Sequence, residues 1–235
     1  MKHTFFIKDW LHSFLSLLFP HCCVVCGRPL AKGEECLCIM CNINLPRTNY
    51  HLRKDNPVER LFWGQIPLER ATSFFFYRKG SDFRQILHQL KYGGKKEVGI
   101  IMGRYMAAEL SDSGFFEGVD VIIPIPLHKK KQQIRGYNQS ECIARGIAAV
   151  TGITVCVESV VRRKNTETQT RKSVFERWEN VDGIFELNHA DSLTGKHILI
   201  VDDVLTTGAT TIACASRLAE VEGTRTSVLT LAMAD

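Results

Sequence analysis

Apolar runs and helical spacing alternate along the second half of the chain. Segments rich in apolar residues, which are typical of buried parallel strands, occupy residues 119–125, 153–161, 198–201 and 227–232. Residues 141–150 and 212–222 have the 3.6-residue spacing of amphipathic helices. Strand, loop and helix therefore alternate, and this pattern predicts a parallel α/β sheet with right-handed crossovers.

The first half of the chain predicts three further elements. Residues 71–77 have strand character, residues 83–92 form a helix that stops at Gly93-Gly94, and a second helix covers residues 96–110. The polar stretch after Pro46 has the composition of a linker. We therefore expect an apolar helix with a cysteine-rich segment at 1–46, a linker or hood segment at 47–70 and the α/β domain at 71–235.

The segment Thr4–Phe19 is strongly apolar, but Lys8, Asp9 and His12 interrupt it. It is too short and too broken for a transmembrane span, and the absence of an A-x-A-like cleavage site disfavours a signal peptide. Two interpretations stay open: a helix packed on the rest of the protein, or a helix that contacts a membrane surface or a partner. Without an export signal we expect a reducing, cytoplasmic compartment in which disulfides are disfavoured.

Composition narrows the class of protein only a little. The 235 residues are 45% hydrophobic and 23% charged, which is typical of a globular protein with one ordinary domain and a small appendage. A net charge of +5 is mild and does not by itself indicate a nucleic-acid partner.

Cysteines crowd the start of the chain in two Cys-x-x-Cys pairs separated by eleven residues. The pairs are Cys23-Val-Val-Cys26 and Cys38-Ile-Met-Cys41. Four thiolates in this pattern favour a tetrahedral Zn²⁺ site, which is structural because it has no open position. Cys22 and Cys36 lie beside the pairs, and Cys22-x₃-Cys26 is a less regular alternative. Redox-active thiols, an iron–sulfur cluster and structural cysteines without metal also stay open.

The richest stretch for chemistry follows the apolar run at 198–201. Asp202 and Asp203 end that run, and a Thr/Gly loop continues through Thr211 into a helical pattern. Ligands bind at the carboxyl ends of strands in open α/β sheets. Backbone N–H groups, threonine hydroxyls and a helix N-terminus suit a phosphate, while paired acids suit ribose hydroxyls or Mg²⁺.

Two other interpretations of the acid pair are weaker. A Walker-B-like segment needs an accompanying G-x-x-x-x-G-K-[ST] loop, and the Gly195-Lys196 pair is followed by His197. A helix cap needs only one such side chain.

The stretch resembles the 5-phosphoribosyl-1-pyrophosphate (PRPP) signature of type I phosphoribosyltransferases. This resemblance implies that Asp202 and Asp203 face the ribose hydroxyls. It also implies a set of residues around the 5′-phosphate: Thr206, Thr207, Gly208, Ala209 and Thr210.

A basic loop is predicted to follow the strand at 119–125, at the same edge of the sheet. Its cations are Lys129, Lys130, Lys131 and Arg135. Clustered Lys and Arg neutralise a pyrophosphate, and Arg does so with two hydrogen bonds. A solvated loop and a contact with the DNA phosphate backbone stay open.

Further motifs resemble the ComF family. They are Leu90-Lys91-Tyr92-x-Gly94, Pro124-x-Pro126-Leu127-His128, Arg135-Gly136-Tyr137-Asn138-Gln139, Arg163-x-x-Thr166-x-x-Gln169 and Arg177-x-x-Asn180-Val181-x-Gly183-x-Phe185. Tyr137 replaces a more usual Phe. The resemblance implies a zinc ribbon on a phosphoribosyltransferase-like domain that binds PRPP with Mg²⁺, and a place in natural competence, the uptake of single-stranded DNA. The implied cleft residues are Lys91, Gly136, Tyr137, Asn138, Gln139, Gln169, Arg177 and Asn180.

Three functions are compatible with these residues. The first is phosphoribosyl transfer to a nitrogen acceptor with release of pyrophosphate, the acceptor pocket lying in a hood over residues 61–94. The second is a non-catalytic adaptor that binds PRPP, single-stranded DNA and competence-machinery proteins. The third, a nucleic-acid adaptor with an emptied nucleotide site, is disfavoured by the intact acid pair. The sequence identifies no general base and no oligomeric state.

Overall fold

A five-stranded parallel sheet forms the centre of the computed structural model, which describes residues 21–163 and 183–235. Its strands are β1 (Arg70–Tyr77), β2 (Val121–Pro124), β3 (Thr154–Val155), β6 (His197–Leu205) and β7 (Arg225–Ala234). Their order is β1-β7-β6-β2-β3, and a separate antiparallel hairpin consists of β4 (Val160–Arg162) and β5 (Phe185–Leu187). The predicted parallel α/β architecture is confirmed.

Helices cover both faces of the sheet. They are α1 (Ile39–Ile43), α2 (Pro57–Phe62), α3 (Arg84–Tyr92), α4 (Lys96–Ser111), α5 (Lys129–Arg135), α6 (Gln139–Thr151) and α7 (Ala209–Leu218), with 3₁₀ turns at Tyr50–Leu52 and Ala190–Leu193. Side chains of α3, α4 and α6 share one apolar core with Leu199 and Val201 of β6. Side chains of α2, α7 and the hairpin share the other with Ile198 and Ile200. The buried apolar run therefore serves both layers, because successive strand residues point to opposite faces.

The direction of the chain reverses between β2 and β6. From β2 the chain passes through α6 to β3 on one side, and from β6 it passes through α7 to β7 on the other. Loops that leave adjacent strands in opposite directions open a crevice at the carboxyl ends of those strands. We call this place, between the loop after β2 and the loop after β6, the crevice.

Several element boundaries correct the sequence analysis. The predicted strand 153–161 is wrong as one element, since it divides into β3 in the sheet and β4 in the hairpin. The strand that carries the acid pair continues to Leu205, and the helix after it covers Ala209–Leu218 rather than 212–222. The helices predicted at 83–92 and 96–110 agree with α3 and α4.

The cysteine-rich segment packs on α4. Cys36 and Leu37 are buried in the core with Met102, and the Cys36 Sγ lies 3.9 Å from the Met102 Sδ. An ion pair joins Arg104 to Glu35. The segment is therefore fixed to the α/β domain by apolar packing as well as by charge.

Residues 46–48 and the Asn56 side chain bind the outer edge of β1. The Thr48 N–H donates to Phe74 O at 3.0 Å, and the Phe76 N–H donates to Pro46 O at 2.8 Å. The buried Asn56 side chain donates to Ala71 O at 2.9 Å and caps α2. These bonds cover the edge that β1 would otherwise expose.

Within residues 21–163 and 183–235, no helix has the length and hydropathy needed to cross a bilayer. The apolar segment Thr4–Phe19 and three implied cleft residues, Gln169, Arg177 and Asn180, lie outside the described residues.

Candidate functional site

The two predicted acids lie near the end of β6 in different surroundings. The Asp202 carboxylate accepts hydrogen bonds from the Ser140 hydroxyl at 3.0 Å and from the Asp203 N–H at 2.8 Å. Burial, followed by the negative charge of Asp203, raises the pKa of Asp202 to about 7. Asp203 forms an ion pair with Lys91, whose Nζ lies 3.1 Å from Oδ1. Asp203 is therefore the acid paired with a cation, while Asp202 is held by hydrogen bonds.

The basic stretch after β2 is a helix, α5, and not the loop that the sequence analysis described. The His128 side chain accepts from the Lys130 N–H at its start, and Gly136, with φ +82°, ends it. Lys129 and Lys130 are exposed, whereas Lys131 is half-buried. Only part of the basic cluster therefore faces the protein.

Four cations gather beside the acid pair. Burial lowers the pKa of Lys131, and the positive charges of Arg162, Arg135 and Lys91 lower it further. These four side chains come from α5, β4 and α3, so they converge through the fold. Cations placed this close repel one another, and the neighbouring carboxylates of Asp202 and Asp203 reduce that repulsion.

The loop after β6 consists of Thr206, Thr207 and Gly208, and α7 begins at Ala209. No side chain of the described residues caps α7, and its first backbone hydrogen bond runs from the Ile212 N–H to Gly208 O at 2.8 Å. The backbone N–H groups that come before Ile212, including that of Thr210, therefore donate no hydrogen bond within the helix. A helix N-terminus of this kind presents N–H groups to an anion.

The conformation and packing of this loop require a glycine at position 208. Its φ is +75°, and a Cβ there would overlap the Leu61 side chain and lie 3.2 Å from Phe62 Cε1. The loop after β6 is therefore packed against α2, which fixes its path across the crevice.

Replacing Gly208 by alanine should destabilise the fold more than the same change at Gly152. Both residues have a left-handed backbone, with φ +75° and +73°, but a Cβ at Gly152 meets nothing within 4 Å. The left-handed cost of about 1–2 kcal/mol is common to both, so overlap with Leu61 should add about 1–3 kcal/mol. Urea denaturation measures the difference. Equal losses of unfolding free energy in the two variants would contradict the packing described here.

The motif at the start of α6 ties that helix to β2 and to α5. Asn138 caps α6 by accepting from the Ser140 N–H at 3.1 Å, and its Nδ2 donates to Ile125 O at 3.0 Å. Gln139 is buried and accepts from Arg135 Nη1 at 2.5 Å, while its own Nε2 has no partner among the described residues. The Tyr137 hydroxyl donates to Leu90 O at 2.6 Å. These side chains hold the loops around the crevice.

Two residues of the site were missed by the sequence analysis. Ser140 donates to Asp202 across 62 positions of the chain, and no local pattern signals such a contact. Arg162 is half-buried, and its guanidinium lies 5.6 Å from the Phe185 ring centroid. Burial lowers the pKa of Arg162, and the negative charge of Asp202 opposes this shift. Arg162 was not recognised because it directly follows residues 153–161, which were predicted to form a single strand.

The four predicted cysteine ligands converge. The Sγ atoms of Cys23, Cys26, Cys38 and Cys41 all lie within 4.8 Å of one another. The Cys26–Cys38 distance of 3.7 Å agrees with the separation of about 3.8 Å expected for thiolates on a tetrahedral Zn²⁺. This cluster could therefore hold a metal ion.

Arg28 lies beside the cysteine cluster. Its Nε is 3.5 Å from Cys26 Sγ and its Nη2 is 3.8 Å from Cys38 Sγ. Its hydrogen bond lowers the pKa of Cys26 to about 6. A guanidinium in this position stabilises thiolates, which are the form that ligates a metal. The Cys36 thiol instead points at Met102 in the core.

The residue set gives the crevice three kinds of group. Carboxylates are able to accept hydrogen bonds from sugar hydroxyls, backbone amides at a helix N-terminus suit a phosphate, and clustered cations suit a highly charged anion. A parallel sheet with an acid pair, a threonine–glycine turn and a helix N-terminus at its switch point defines the class: a phosphoribosyltransferase-type domain. A family model described as a phosphoribosyl transferase domain matches residues 137–234.

Relatives extend the similarity to most of the chain. The DNA utilization protein YhgH of Shigella flexneri is 29% identical over 217 residues, which cover 86% of this chain and 92% of that protein. Competence protein ComFC of Bacillus subtilis is 26% identical over 202 residues, or 84% and 71% of the two chains. Competence protein F of Haemophilus influenzae is 34% identical over 92 residues, or 39% and 40%.

These matches agree with the motifs found in the sequence. Together with the phosphoribosyl transferase domain match, these relatives support the ComF family. Among solved structures, a B. subtilis glutamine PRPP amidotransferase complexed with ADP and GMP is 17% identical, with a TM-score of 0.43 over 62% of this chain and 30% of that one.

Proposed function

We propose that the crevice binds PRPP together with Mg²⁺, and that the protein acts in the handling of DNA during natural competence. The observation that carries the proposal is that the acid pair lies near the end of the strand that leads to the α7 amides, while Asp203 pairs with Lys91 of a cation cluster drawn from α3, α5 and β4. PRPP carries a diol, a 5′-phosphate and a pyrophosphate, and the crevice offers a matching group for each.

The acid pair serves the sugar in this proposal. Asp203 accepts a hydrogen bond from a ribose hydroxyl once Lys91 leaves it, and Lys91 then faces the pyrophosphate. Asp202 fixes the second hydroxyl while Ser140 holds its other lone pairs. Mg²⁺ would be bound by PRPP oxygens with help from these carboxylates, since hard oxygen ligands suit that ion.

The remaining groups serve the two phosphoryl ends. The Thr206–Thr210 amides and hydroxyls surround the 5′-phosphate, and Lys131 and Arg135 neutralise the pyrophosphate. Transfer of the phosphoribosyl group to a nitrogen acceptor is the reaction that such an arrangement favours, because the cations stabilise the leaving pyrophosphate. The four-cysteine cluster holds a structural Zn²⁺ that fixes the segment packed on α4.

Calorimetric titration tests the ligand. With Mg²⁺ present, PRPP should bind at least tenfold more tightly than either ribose 5-phosphate or pyrophosphate, because only PRPP fills both halves of the crevice. Equal affinities for PRPP and pyrophosphate would show that the sugar is not recognised, and the absence of any PRPP heat would overturn the proposal.

The DNA role rests on the similarity to competence and DNA utilization proteins. Complementation tests it in Bacillus subtilis lacking ComFC. The wild-type chain should restore transformation. An Asp203→Asn variant should give a transformation frequency at least tenfold lower than the wild-type chain does. Full restoration by that variant would separate the DNA role from the crevice.

A further inference from the structure

A cavity lies at the outer edge of the sheet, away from the crevice. Its volume is about 570 Å³, which is within the range of about 300–1,000 Å³ that small-molecule sites usually have. Its wall includes Arg70, which begins β1, and also Ser113 and Phe115, which lie between α4 and β2. The cavity is therefore at the amino ends of the strands, whereas the crevice is at their carboxyl ends. We call it the edge cavity.

Buried side chains form the floor of the edge cavity. Asn56, Phe62 and Phe115 line it and are 3%, 1% and 2% exposed. The Asn56 side chain accepts from the Val58 N–H at 2.9 Å and donates to Ala71 O at 2.9 Å. Hydrogen bonds therefore tie the floor to both α2 and β1.

Large apolar side chains line the exposed side of the edge cavity. Trp63 is 58% exposed and Leu52 is 68% exposed. The Arg60 guanidinium lies 5.8 Å from the Trp63 ring centroid, and Tyr50 also lines the cavity. Exposed apolar groups beside a cavity are typical of a binding site, and aromatic rings favour a ligand that has a flat apolar face.

Charged side chains of both signs line the edge cavity in equal number. The three basic and three acidic residues are Arg53, Lys54, Arg70, Asp55, Glu59 and Glu69. Glu59 accepts from the Asn56 and Ala71 N–H groups at 3.2 and 3.3 Å, and Arg70 donates to Gly114 O. Within residues 21–163 and 183–235, no ion pair involves any of the six. A ligand with one sign of charge would be repelled by half of these groups, whereas a zwitterion pairs with both.

Helix α2 is shared by the edge cavity and the loop after β6. Phe62 lines the cavity, and it also packs against Gly208, because a Cβ at Gly208 would lie 3.2 Å from Phe62 Cε1. The neighbouring Leu61 packs against Gly208 as well. A ligand in contact with Phe62 would therefore support α2 where it holds this loop, since close-packed interiors transmit strain.

We propose that the edge cavity binds a small aromatic zwitterion, and that this ligand stabilises the loop after β6 through α2. A free aromatic amino acid is the simplest member of the class. Its ring contacts Trp63, and its carboxylate and ammonium groups pair with the charges of opposite sign around the cavity. Only the role of the stabilised loop in phosphate binding rests on the proposed function.

Fluorine NMR with 5-fluoro-L-tryptophan tests the ligand class. The wild-type protein should broaden or shift the fluorine signal of this probe. 5-Fluorotryptamine lacks the carboxylate and 5-fluoroindole-3-acetate lacks the ammonium group, so each should bind about fivefold more weakly. Equal affinities for the three probes, or no response to 5-fluoro-L-tryptophan, would overturn the proposal.

Variants locate the bound probe. Trp63→Ala should weaken the binding of 5-fluoro-L-tryptophan about tenfold. Tyr92→Ala is the matched control and should bind as the wild type does, since Tyr92 is also exposed, at 72%, but ends α3 beside the crevice. Unchanged affinity in Trp63→Ala, or an equal loss in Tyr92→Ala, would place the probe elsewhere and overturn the proposal. Thermal melting of both variants checks that the fold is intact.

Hydrogen exchange tests the effect on the loop. Saturating 5-fluoro-L-tryptophan should slow the exchange of the amides at residues 206–212 at least twofold in the wild type and not in Trp63→Ala. Exchange in α5, on the other side of the crevice, should not change. Unchanged exchange at 206–212 with the probe bound would overturn the link through α2. None of these measurements uses PRPP, so a failure of PRPP to bind would overturn the proposed function alone.

Discussion

Replacing Cys38 by serine is expected to remove the bound metal and to lower the melting temperature by roughly 10 °C or more. The four Sγ atoms lie within 4.8 Å of one another, so the loss of one thiolate leaves three ligands and opens the site. Metal binding in such small segments supplies much of their folding free energy. A loss of about 3–5 kcal/mol corresponds to this change in melting temperature for a chain of this size. Metal analysis and thermal melting measure the two effects.

Cys22→Ser is the matched control for the metal site. Cys22 is exposed and adjacent to Cys23, but it does not belong to the converging set. This variant should retain about one equivalent of zinc and the wild-type melting temperature. Loss of zinc from Cys22→Ser and its retention in Cys23→Ser would show that the irregular pair, Cys22-x₃-Cys26, supplies the ligands.

The second large effect is a gain of stability at the expense of binding. Asp202→Asn is expected to raise the unfolding free energy of the ligand-free protein at pH 8 by roughly 2–4 kcal/mol. The pKa of Asp202 is raised to about 7, first by burial and then by Asp203. The folded state therefore keeps a proton that the unfolded chain loses near pH 4. Stability that depends on this proton falls as the pH rises from about 4 to about 7.

The asparagine side chain resembles the protonated acid, so the variant should lack this pH dependence. At pH 4 the two proteins should differ little, and the difference should reach its full size above pH 7. Urea denaturation across this range measures it, with Asp191→Asn, at an exposed position, as the control that should follow the wild type. A variant less stable than the wild type at pH 8 would show that Arg162 and Lys91 outweigh the burial of the charge.

The local pattern of the sequence predicted the elements that bury one apolar face. The spacing of Ile86, Leu87 and Leu90 before Gly93 gave α3 its correct end, since periodicity and a glycine stop are both local signals. The prediction of one strand at 153–161 was wrong, because β-branched residues favour a strand but do not determine which strand it pairs with. The pairing of β4 with β5 depends on residues more than twenty positions away.

The sequence was enough to predict which segments form the candidate site, but it did not predict the contacts between those segments. The acid pair and the threonine–glycine turn are contiguous, so their shared location needed no fold. The three consecutive lysines have no apolar periodicity, and the helix α5 was therefore missed. Of the three, Lys131 alone is half-buried, and Arg135, one helical turn later, is half-buried as well. The Ser140–Asp202 bond and the approach of Arg162 arise from the order of strands in the sheet, which no single segment encodes.

The calorimetric titration of PRPP with Mg²⁺ into a variant that lacks both acids, Asp202→Ala/Asp203→Ala, tests the central claim most directly. Hydrogen bonds to charged groups contribute about 1.5–3 kcal/mol each, so the loss of two should weaken PRPP binding at least about a hundredfold. The Asp191→Ala control should bind as the wild type does. If the variant without both carboxylates keeps the wild-type affinity for PRPP, the acid pair does not hold the sugar and the account is contradicted.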